Sequence, residues 1–169
     1  MMRLLGLDPG LKATGWGIVE TQGNRLIFIA SGTVRSAVNQ SLAARLSAIY
    51  TGLLTVIDTY KPDEAAVEET FLNRNPGSTL KLGQARGVVL LAPAQAGLTV
   101  SEYAATTVKK TVVGTGHADK IQVQSMVARL LPGSLAESPD AADALAIAIC
   151  HAHHSSMAHR KASLSMVQQ

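Results

Sequence analysis

Four acidic side chains stand where short apolar segments begin or end. Asp8 ends the segment MRLLGLD, and Glu68 ends the segment AAVE. Asp140 and Asp143 are three residues apart at the start of DAADALAIAICH, so on a helix they share one face. Carboxylates that converge repel one another and favour a bound cation, and such hard oxygen ligands suit Mg²⁺ or Mn²⁺. Two such ions about 4 Å apart activate a water and stabilise the leaving oxygen of a phosphodiester.

Two of these acids also have an ordinary structural interpretation. Asp8 precedes Pro9-Gly10, which is typical of a turn. Asp140 follows Ser138-Pro139, where an acid complements the dipole at a helix start. Asp143 and Glu68 are harder to explain in this way, because each lies in an otherwise apolar segment. A joint metal site and separate structural roles therefore remain the two interpretations that spacing alone allows.

The segments that must position the acids alternate between strand and helix patterns. The sequence predicts three strands, over residues 3–8, 14–20 and 25–35, and a short polar turn joins the last two. Helical spacing after Ser41 predicts a helix that ends before Pro62, and a buried strand over 63–68 follows. The remaining predictions are a loop over 71–77, a helix over 78–95, a strand over 98–101, helices over 103–112 and 119–131, and a last helix that opens at Ser138-Pro139.

This order predicts an α/β protein with a mixed five-stranded sheet and helices on both faces. A strand that follows a long helix is expected beside the first strand and parallel to it. Asp8 and Glu68 then emerge at the same edge of the sheet, where open α/β sheets place their chemistry. All elements fit one domain over residues 1–155, and residues 156–169, which lack clear periodicity, are expected to form a flexible tail.

Composition narrows the class of protein. The chain has 169 residues, of which 47% are hydrophobic and 16% charged, as expected of a folded domain. The net charge of +3 is compatible with an anionic partner. Cys150 is the only cysteine, so no intrachain disulfide forms, and no segment approaches the roughly 18 apolar residues of a membrane span. A cytoplasmic protein is expected.

Four stretches closely resemble the RuvC-type Holliday junction resolvases of bacteria. They are GLDPGLKATGWG (6–17), VEETFLNRNPGSTLKLGQARG (67–87), EYAATTVKKTVVGTGHADKIQVQ (102–124) and DAADALAIAICH (140–151). The resemblance implies an RNase H-like fold and a homodimer that cuts two symmetric strands of four-way junction DNA, leaving a 5′-phosphate and a 3′-hydroxyl. It also implies two Mg²⁺ ions per active site, with Mn²⁺ able to substitute, and a partnership with the RuvA–RuvB branch-migration complex.

The family's functional residues fall on matching positions of this chain. Its catalytic acids fall on Asp8, Glu68, Asp140 and Asp143, although some members carry histidine at the last position. Its base-stacking phenylalanine falls on Phe71, for which an ordinary core position is the alternative, and stacking of this kind contributes about 1–3 kcal/mol. Two lysines that aid DNA binding or catalysis fall on Lys109 and Lys120, and backbone contacts are further expected of Arg74, Lys81, Arg86 and Lys110. Glu69 adds negative charge near the expected DNA path.

Two further features have competing interpretations. The helix around residues 79–95 is rich in glycine and alanine, and the resemblance implies a dimer contact there, whereas packing on its own sheet is the alternative. His151, His153, His154 and His159 could form a metal site, but a solvated helix end is favoured. Cys150 is expected to be a small buried hydrophobic residue.

Three other functions compete with that of a junction resolvase. The hairpin GLDPGLKATGWG is similar to the phosphate-binding turn of actin-like ATPases, but the chain is too short for their two lobes and has no second such hairpin. A non-catalytic module that binds branched DNA would have lost an acid, and none is lost. Another RNase H-like nuclease that cuts RNA–DNA hybrids is the third, and comparing junction, duplex and hybrid substrates separates these functions.

Overall fold

A computed structural model describes the backbone of residues 1–69, 75–134 and 136–167, and in the last range the side chains up to Ser155. The strands are β1 (Met2–Asp8), β2 (Ala13–Gln22), β3 (Arg25–Arg35), β4 (Glu64–Glu69) and β5 (Thr99–Ala104). The helices are α1 (Leu42–Tyr60), α2 (Pro76–Gln95), α3 (Ala105–Val113), α4 (Lys120–Leu130) and α5 (Pro139–Val167). The α/β class and the order of elements are confirmed.

The five strands form one mixed sheet in the order β3-β2-β1-β4-β5. β1, β2 and β3 pair antiparallel, as two consecutive hairpins require. β4 pairs parallel with β1 and with β5, because helices α1 and α2 carry the chain back across the sheet between these strands. The predicted parallel neighbours β1 and β4 therefore lie side by side at the centre of the sheet.

Helices cover both faces of the sheet and build two cores. On one face, α1 and α2 bury Ile49, Leu53 and Val89 against apolar side chains of β1, β2 and β4. On the other face, α5 buries Leu145 and Ile147 together with residues of α3 and α4. The central strands are thus buried on both sides, which explains their nearly continuous apolar sequences.

Helix α5 rests directly on the backbone of β1 and β2. A Cβ atom at Gly6 would lie 2.0 Å from the carbonyl oxygen of Ala144, and one at Gly15 would lie 2.1 Å from that of Asp140. A Cβ atom at Gly17 would lie 2.7 Å from the side chain of Leu145. Contacts this short leave no room for a side chain at these positions. Gly6, Gly15 and Gly17 therefore form a surface without side chains, here named the bare glycine seat, which lets α5 approach the sheet closely.

Residue choices at the helix ends explain where most helices begin and end. The Ser41 hydroxyl accepts a hydrogen bond from the backbone N–H of Ala44, and α1 ends at Lys61, whose φ is 47°, just before Pro62. Asp119 and Gln122 form a reciprocal capping box at the start of α4. These caps confirm the predicted start of α1 and its end before Pro62.

Several boundaries differ from the predictions, among them the start of α2, which lies at Pro76 inside the predicted loop over 71–77. β5 extends to Ala104 rather than ending at residue 101, because its pairing with β4 continues to Glu69. α3 consequently begins at Ala105, two residues later than predicted. α5 continues to Val167, past the predicted domain end at residue 155; a flexible tail over 156–169 stays a prediction, since those side chains lie outside the described part of the chain. No helix within the described ranges has the length and apolar character needed to cross a membrane.

Candidate active site

Two of the four predicted acids lie side by side where β1 and β4 end. Leu7 of β1 is in register with Val67 of β4, so the residues that follow, Asp8 and Glu68, are neighbours across the parallel pair. Both emerge at the carboxyl ends of their strands, the edge at which parallel sheets expose functional groups. The predicted adjacency of these two acids is thus present in the fold.

The other two acids come from the start of α5, which passes over the same edge. Asp8 is in register with Gly15 of β2, and the backbone of Asp140 lies directly against Gly15. Asp143 follows one turn later and lines a cleft of about 270 Å³, together with Glu68 and two lysines, Lys109 and Lys120. The bare glycine seat therefore places the first turn of α5 over the strand ends.

Burial and mutual repulsion disturb the ionisation of this cluster. The pKa of Asp8 is raised from 3.8 to about 8, first by burial and then by the negative charges of Glu68, Asp143 and Asp140. The pKa of Glu68 is also raised, by burial and by Asp143. Burial and the neighbouring negative charges together favour the protonated form of Asp8, which with a pKa of about 8 keeps its proton near neutral pH.

Two lysines partly offset the negative charge. Lys120 Nζ lies 3.0 Å from an Asp143 carboxylate oxygen, and this hydrogen bond raises the pKa of the lysine. Lys120 is the first residue of α4, so the capping box that fixes this helix start also fixes the lysine. Lys109 of α3 lowers the pKa of Glu68. Positive charge is thus supplied from two helices on the same side of the cleft.

The donor set fits hard divalent cations, although the side chains as placed do not enclose one. Over the ranges that the structure describes, no three histidine, cysteine, aspartate or glutamate side chains are close enough to hold one ion. The four carboxylates nevertheless supply only oxygen ligands, which Mg²⁺ and Mn²⁺ prefer. The Lys120 ammonium already occupies the place of a counter-cation beside Asp143. The residues fit a metal site, which stays a prediction.

The other predicted DNA-binding residues fall into three groups. Lys81 on α2 and Lys110 on α3 are exposed. Arg86 forms an ion pair with Glu102 and donates a hydrogen bond to the backbone oxygen of Glu68, 3.4 Å away, so it also braces the end of β4. Phe71 and Arg74 lie outside the described residues. DNA contacts by all of these residues stay predictions.

One of the four histidines contradicts the expected solvated helix end. His151 is buried, and its Nε2 lies 2.8 Å from Glu64 Oε2 while its Nδ1 lies 2.9 Å from the Tyr103 hydroxyl. Burial lowers the pKa of His151, with Glu64 opposing the shift. The imidazole thus joins α5 to the start of β4 and to β5. Cys150 is fully buried, as predicted.

Three basic residues at the catalytic edge were missed by the motif analysis. They are Lys12 in the turn after β1, Arg35 at the end of β3 and Arg45 in the first turns of α1. The signal that marks Arg35 and Arg45 is the absence of any aspartate or glutamate from residues 21–57, whereas Lys12 lies outside this stretch. A stretch of that length without acids leaves its cations unneutralised by sequence neighbours.

Comparison with known proteins gives a consistent result. The family model "Crossover junction endodeoxyribonuclease RuvC" matches residues 4–151. The Rhodospirillum rubrum protein of that name is 64% identical over 153 residues, 90% of each chain, and the Azorhizobium caulinodans protein is 59% identical over 154 residues, 91% of each chain. The structure of T. thermophilus RuvC in complex with Holliday junction substrate shares 34% identity at a TM-score of 0.86, covering 94% of this chain and 97% of that one. The yeast mitochondrial Holliday junction resolvase Ydc2 shares the fold at a TM-score of 0.63 and 11% identity, covering 88% of this chain and 78% of that one.

Proposed function

The chain belongs to the RuvC family of crossover junction endodeoxyribonucleases, and on that basis we propose that it resolves four-way DNA junctions by symmetric, metal-dependent strand cleavage during recombination and repair. The observation that carries this proposal is the gathering of four acids at one sheet edge with lysines beside them. The RuvC relative from T. thermophilus, which is similar over nearly the whole chain, was solved with a Holliday junction substrate. A phosphodiester is therefore the bond that this site is built to cut.

In this mechanism Asp8, Glu68, Asp140 and Asp143 would hold Mg²⁺ or Mn²⁺, two ions per active site. The bound ions supply Lewis acidity that activates a water and stabilises the leaving oxygen of the phosphodiester. Asp8, with a pKa of about 8 in the metal-free protein, must release its proton to become a ligand. Cation binding is therefore expected to strengthen as the pH rises from 6 to 8, because metal and proton compete for the same oxygen.

Lys109 and Lys120 would offset the negative charge that gathers on the phosphoryl oxygens in the transition state. Both line the cleft with Glu68 and Asp143, so their ammonium groups lie within the same site as the reacting phosphate. A positioned cation there stabilises the transition state more than the ground state.

Phe71, three residues after Glu68, is proposed to stack on a base opened at the junction centre.

We further propose that the chain works as a homodimer joined through α2. Leu80 and Leu91 are 64% and 52% exposed on this helix, and the space around Gly83 and Gly87 is open. These four positions recur at helical spacing, so they form an exposed apolar stripe without tall side chains at its centre. Each subunit would then cut one of two symmetric strands.

Cooperation with the RuvA–RuvB complex and a cytoplasmic location rest on the resemblance and on the DNA substrate.

The decisive experiment compares three labelled substrates: a synthetic immobile four-way junction, the matching linear duplex and an RNA–DNA hybrid. With Mg²⁺ the junction should be cut in pairs of symmetric strands, whereas EDTA should stop cleavage but not binding. Asp8→Asn should bind the junction and leave it intact. Asp58→Asn, which changes an exposed acid near the end of α1, serves as the control and should cut normally. Preferred hydrolysis of the hybrid would instead identify a different RNase H-like nuclease, and binding without cleavage a non-catalytic module.

A further inference from the structure

Lys12, Arg35 and Arg45 form a basic patch around the buried Ser36. The Ser36 backbone N–H donates to the Lys12 carbonyl oxygen at 3.1 Å, and Arg35 is in register with Ala13 of β2. Arg45 Nε donates to the Ser36 hydroxyl oxygen at 3.0 Å, while that hydroxyl donates to the carbonyl oxygen of Leu11. The three cations are therefore held together by the backbone of one turn and one strand end.

The basic patch is not matched by acids of β3 and α1, because the one acid in these two elements is Asp58, which stands near the other end of α1 and pairs with Lys61. Within the part of the chain that the structure describes, Lys12, Arg35 and Arg45 take part in none of the ion pairs, and Lys12 and Arg35 are exposed. Residues 21–57, which supply β3 and most of α1, contain no aspartate or glutamate. α1 also begins here, so its positive dipole end adds to the same potential. The surface is consequently built to face an anion.

The position of the basic patch relates it to the catalytic edge. β3 is separated from β1 by β2 alone, and the end of β3 and the end of β1 lie at the same edge of the sheet. Asp8 is in register with Gly15 and Gly15 with Thr33, so Arg35 lies two residues further along β3. With strands about 4.8 Å apart and about 3.4 Å per residue, Arg35 lies roughly 10 Å across the sheet and roughly 7 Å along it from Asp8. Lys109 and Lys120 line the cleft with Glu68 of β4, the strand that flanks β1 on the side away from β3. Cations therefore flank the acids on both sides.

We propose that the basic patch binds backbone phosphates of the DNA strand one or two nucleotides from the scissile bond, on the side away from Lys109 and Lys120. The proposal rests on the proposed nuclease function. A DNA strand that passes over four acids is repelled by them, so cations on both sides of the acids are needed to hold its phosphates in place. Phosphate contacts of this kind fix register and carry no base preference. The patch thus acts as a positioning site for the substrate and takes no part in bond cleavage.

The test removes two exposed charges and compares binding with chemistry. Lys12→Gln/Arg35→Gln is compared with Arg25→Gln/Arg129→Gln, which removes two exposed arginines at the opposite edge and keeps the same net charge. Affinity for a labelled four-way junction is measured in EDTA at several salt concentrations. Each lost phosphate contact lowers the slope of log K against log[salt] by about 0.9. The affinity gap between wild type and the patch variant should therefore shrink about 12-fold between 50 and 200 mM salt.

Single-turnover cleavage at saturating protein supplies the second measurement. The patch variant should cut at the wild-type rate once it is bound, while its half-saturating concentration rises at least several-fold above that of the control pair. Equal salt slopes for the two double variants would overturn the proposal, as would a loss of rate at saturation. Wild-type protein that fails to cut the junction would refute the nuclease function itself, so the two failures are distinguishable.

Discussion

Replacing Asp8 with asparagine removes a carboxyl group whose pKa is raised from 3.8 to about 8 in the metal-free protein. A raised pKa means that the folded protein binds a proton that the unfolded chain has already released. Asp8 therefore supports the fold most strongly below pH 4, and this support is lost as the pH rises through about 8. Asparagine keeps the shape of the protonated acid and does not titrate. The unfolding free energy of the variant therefore does not fall with rising pH through this residue.

The size of the effect follows from the two pKa values. With one pKa unit equal to about 1.4 kcal/mol, the contribution of Asp8 to the unfolding free energy falls by about 4 kcal/mol between pH 5 and pH 9. Relaxation of the site and entry of water reduce this figure for a real protein. We therefore expect wild type to lose about 2–4 kcal/mol more than Asp8→Asn over that pH range.

Urea denaturation in EDTA at pH 5, 7 and 9 measures the difference directly. Asp58→Asn is the control, because Lys61 lowers the pKa of that exposed carboxyl and its titration lies below this pH range. Its pH profile should coincide with that of wild type. Parallel profiles for wild type and Asp8→Asn would refute the reasoning, since they would show that Asp8 is ionised without penalty. Addition of Mg²⁺ at pH 9 should stabilise wild type and leave Asp8→Asn nearly unchanged.

Three further changes test other parts of the structure. Gly6→Ala places a methyl group 2.0 Å from the Ala144 carbonyl oxygen and should cost about 3 kcal/mol or more in urea denaturation. The control Gly116→Ala, whose Cβ would come no closer than 3.4 Å to a neighbouring atom, should change stability by less than about 1 kcal/mol. Lys120→Ala should slow single-turnover junction cleavage roughly 100-fold, and an unchanged rate would remove it from the mechanism. Leu91→Glu should shift the sedimentation coefficient from dimer toward monomer, and a persistent dimer would place the interface elsewhere.

The adjacency of Asp8 and Glu68 was predictable because it follows from one rule of chain topology. Two consecutive hairpins make β3 run in the same direction as β1, and the long helix α1 returns the chain so that β4 runs in that direction too. Residues at the carboxyl ends of β1 and β4 then share an edge. The length of β5 was not predictable, because its last residues, EYA, are paired only through their contact with β4. Strand pairing of this kind depends on a partner far away in the sequence and leaves little periodicity.

The burial of His151 and the purpose of the glycines also needed the three-dimensional structure. A histidine near the end of an apolar helix resembles a solvated terminus, and only the packing of α5 brings Glu64 and Tyr103 to its two nitrogens. Gly6 and Gly15 lie within predicted strands, where the sequence does not show why glycine is needed. Their role is to admit the backbone of α5, a contact between segments more than a hundred residues apart.

The bare glycine seat beneath α5 has a mechanical consequence. At Gly6, Gly15 and Gly17 the sheet presents no side chains to α5, so fewer contacts there resist rotation of the helix about its own axis. His151 lies about 12 Å along the helix from Asp143 and forms two directional hydrogen bonds, with Glu64 and Tyr103. These bonds resist rotation of α5, because both form in only one orientation of the helix about its axis. The rotation of α5 that turns Asp143 toward Glu68 is thus held by contacts about two turns further along the helix.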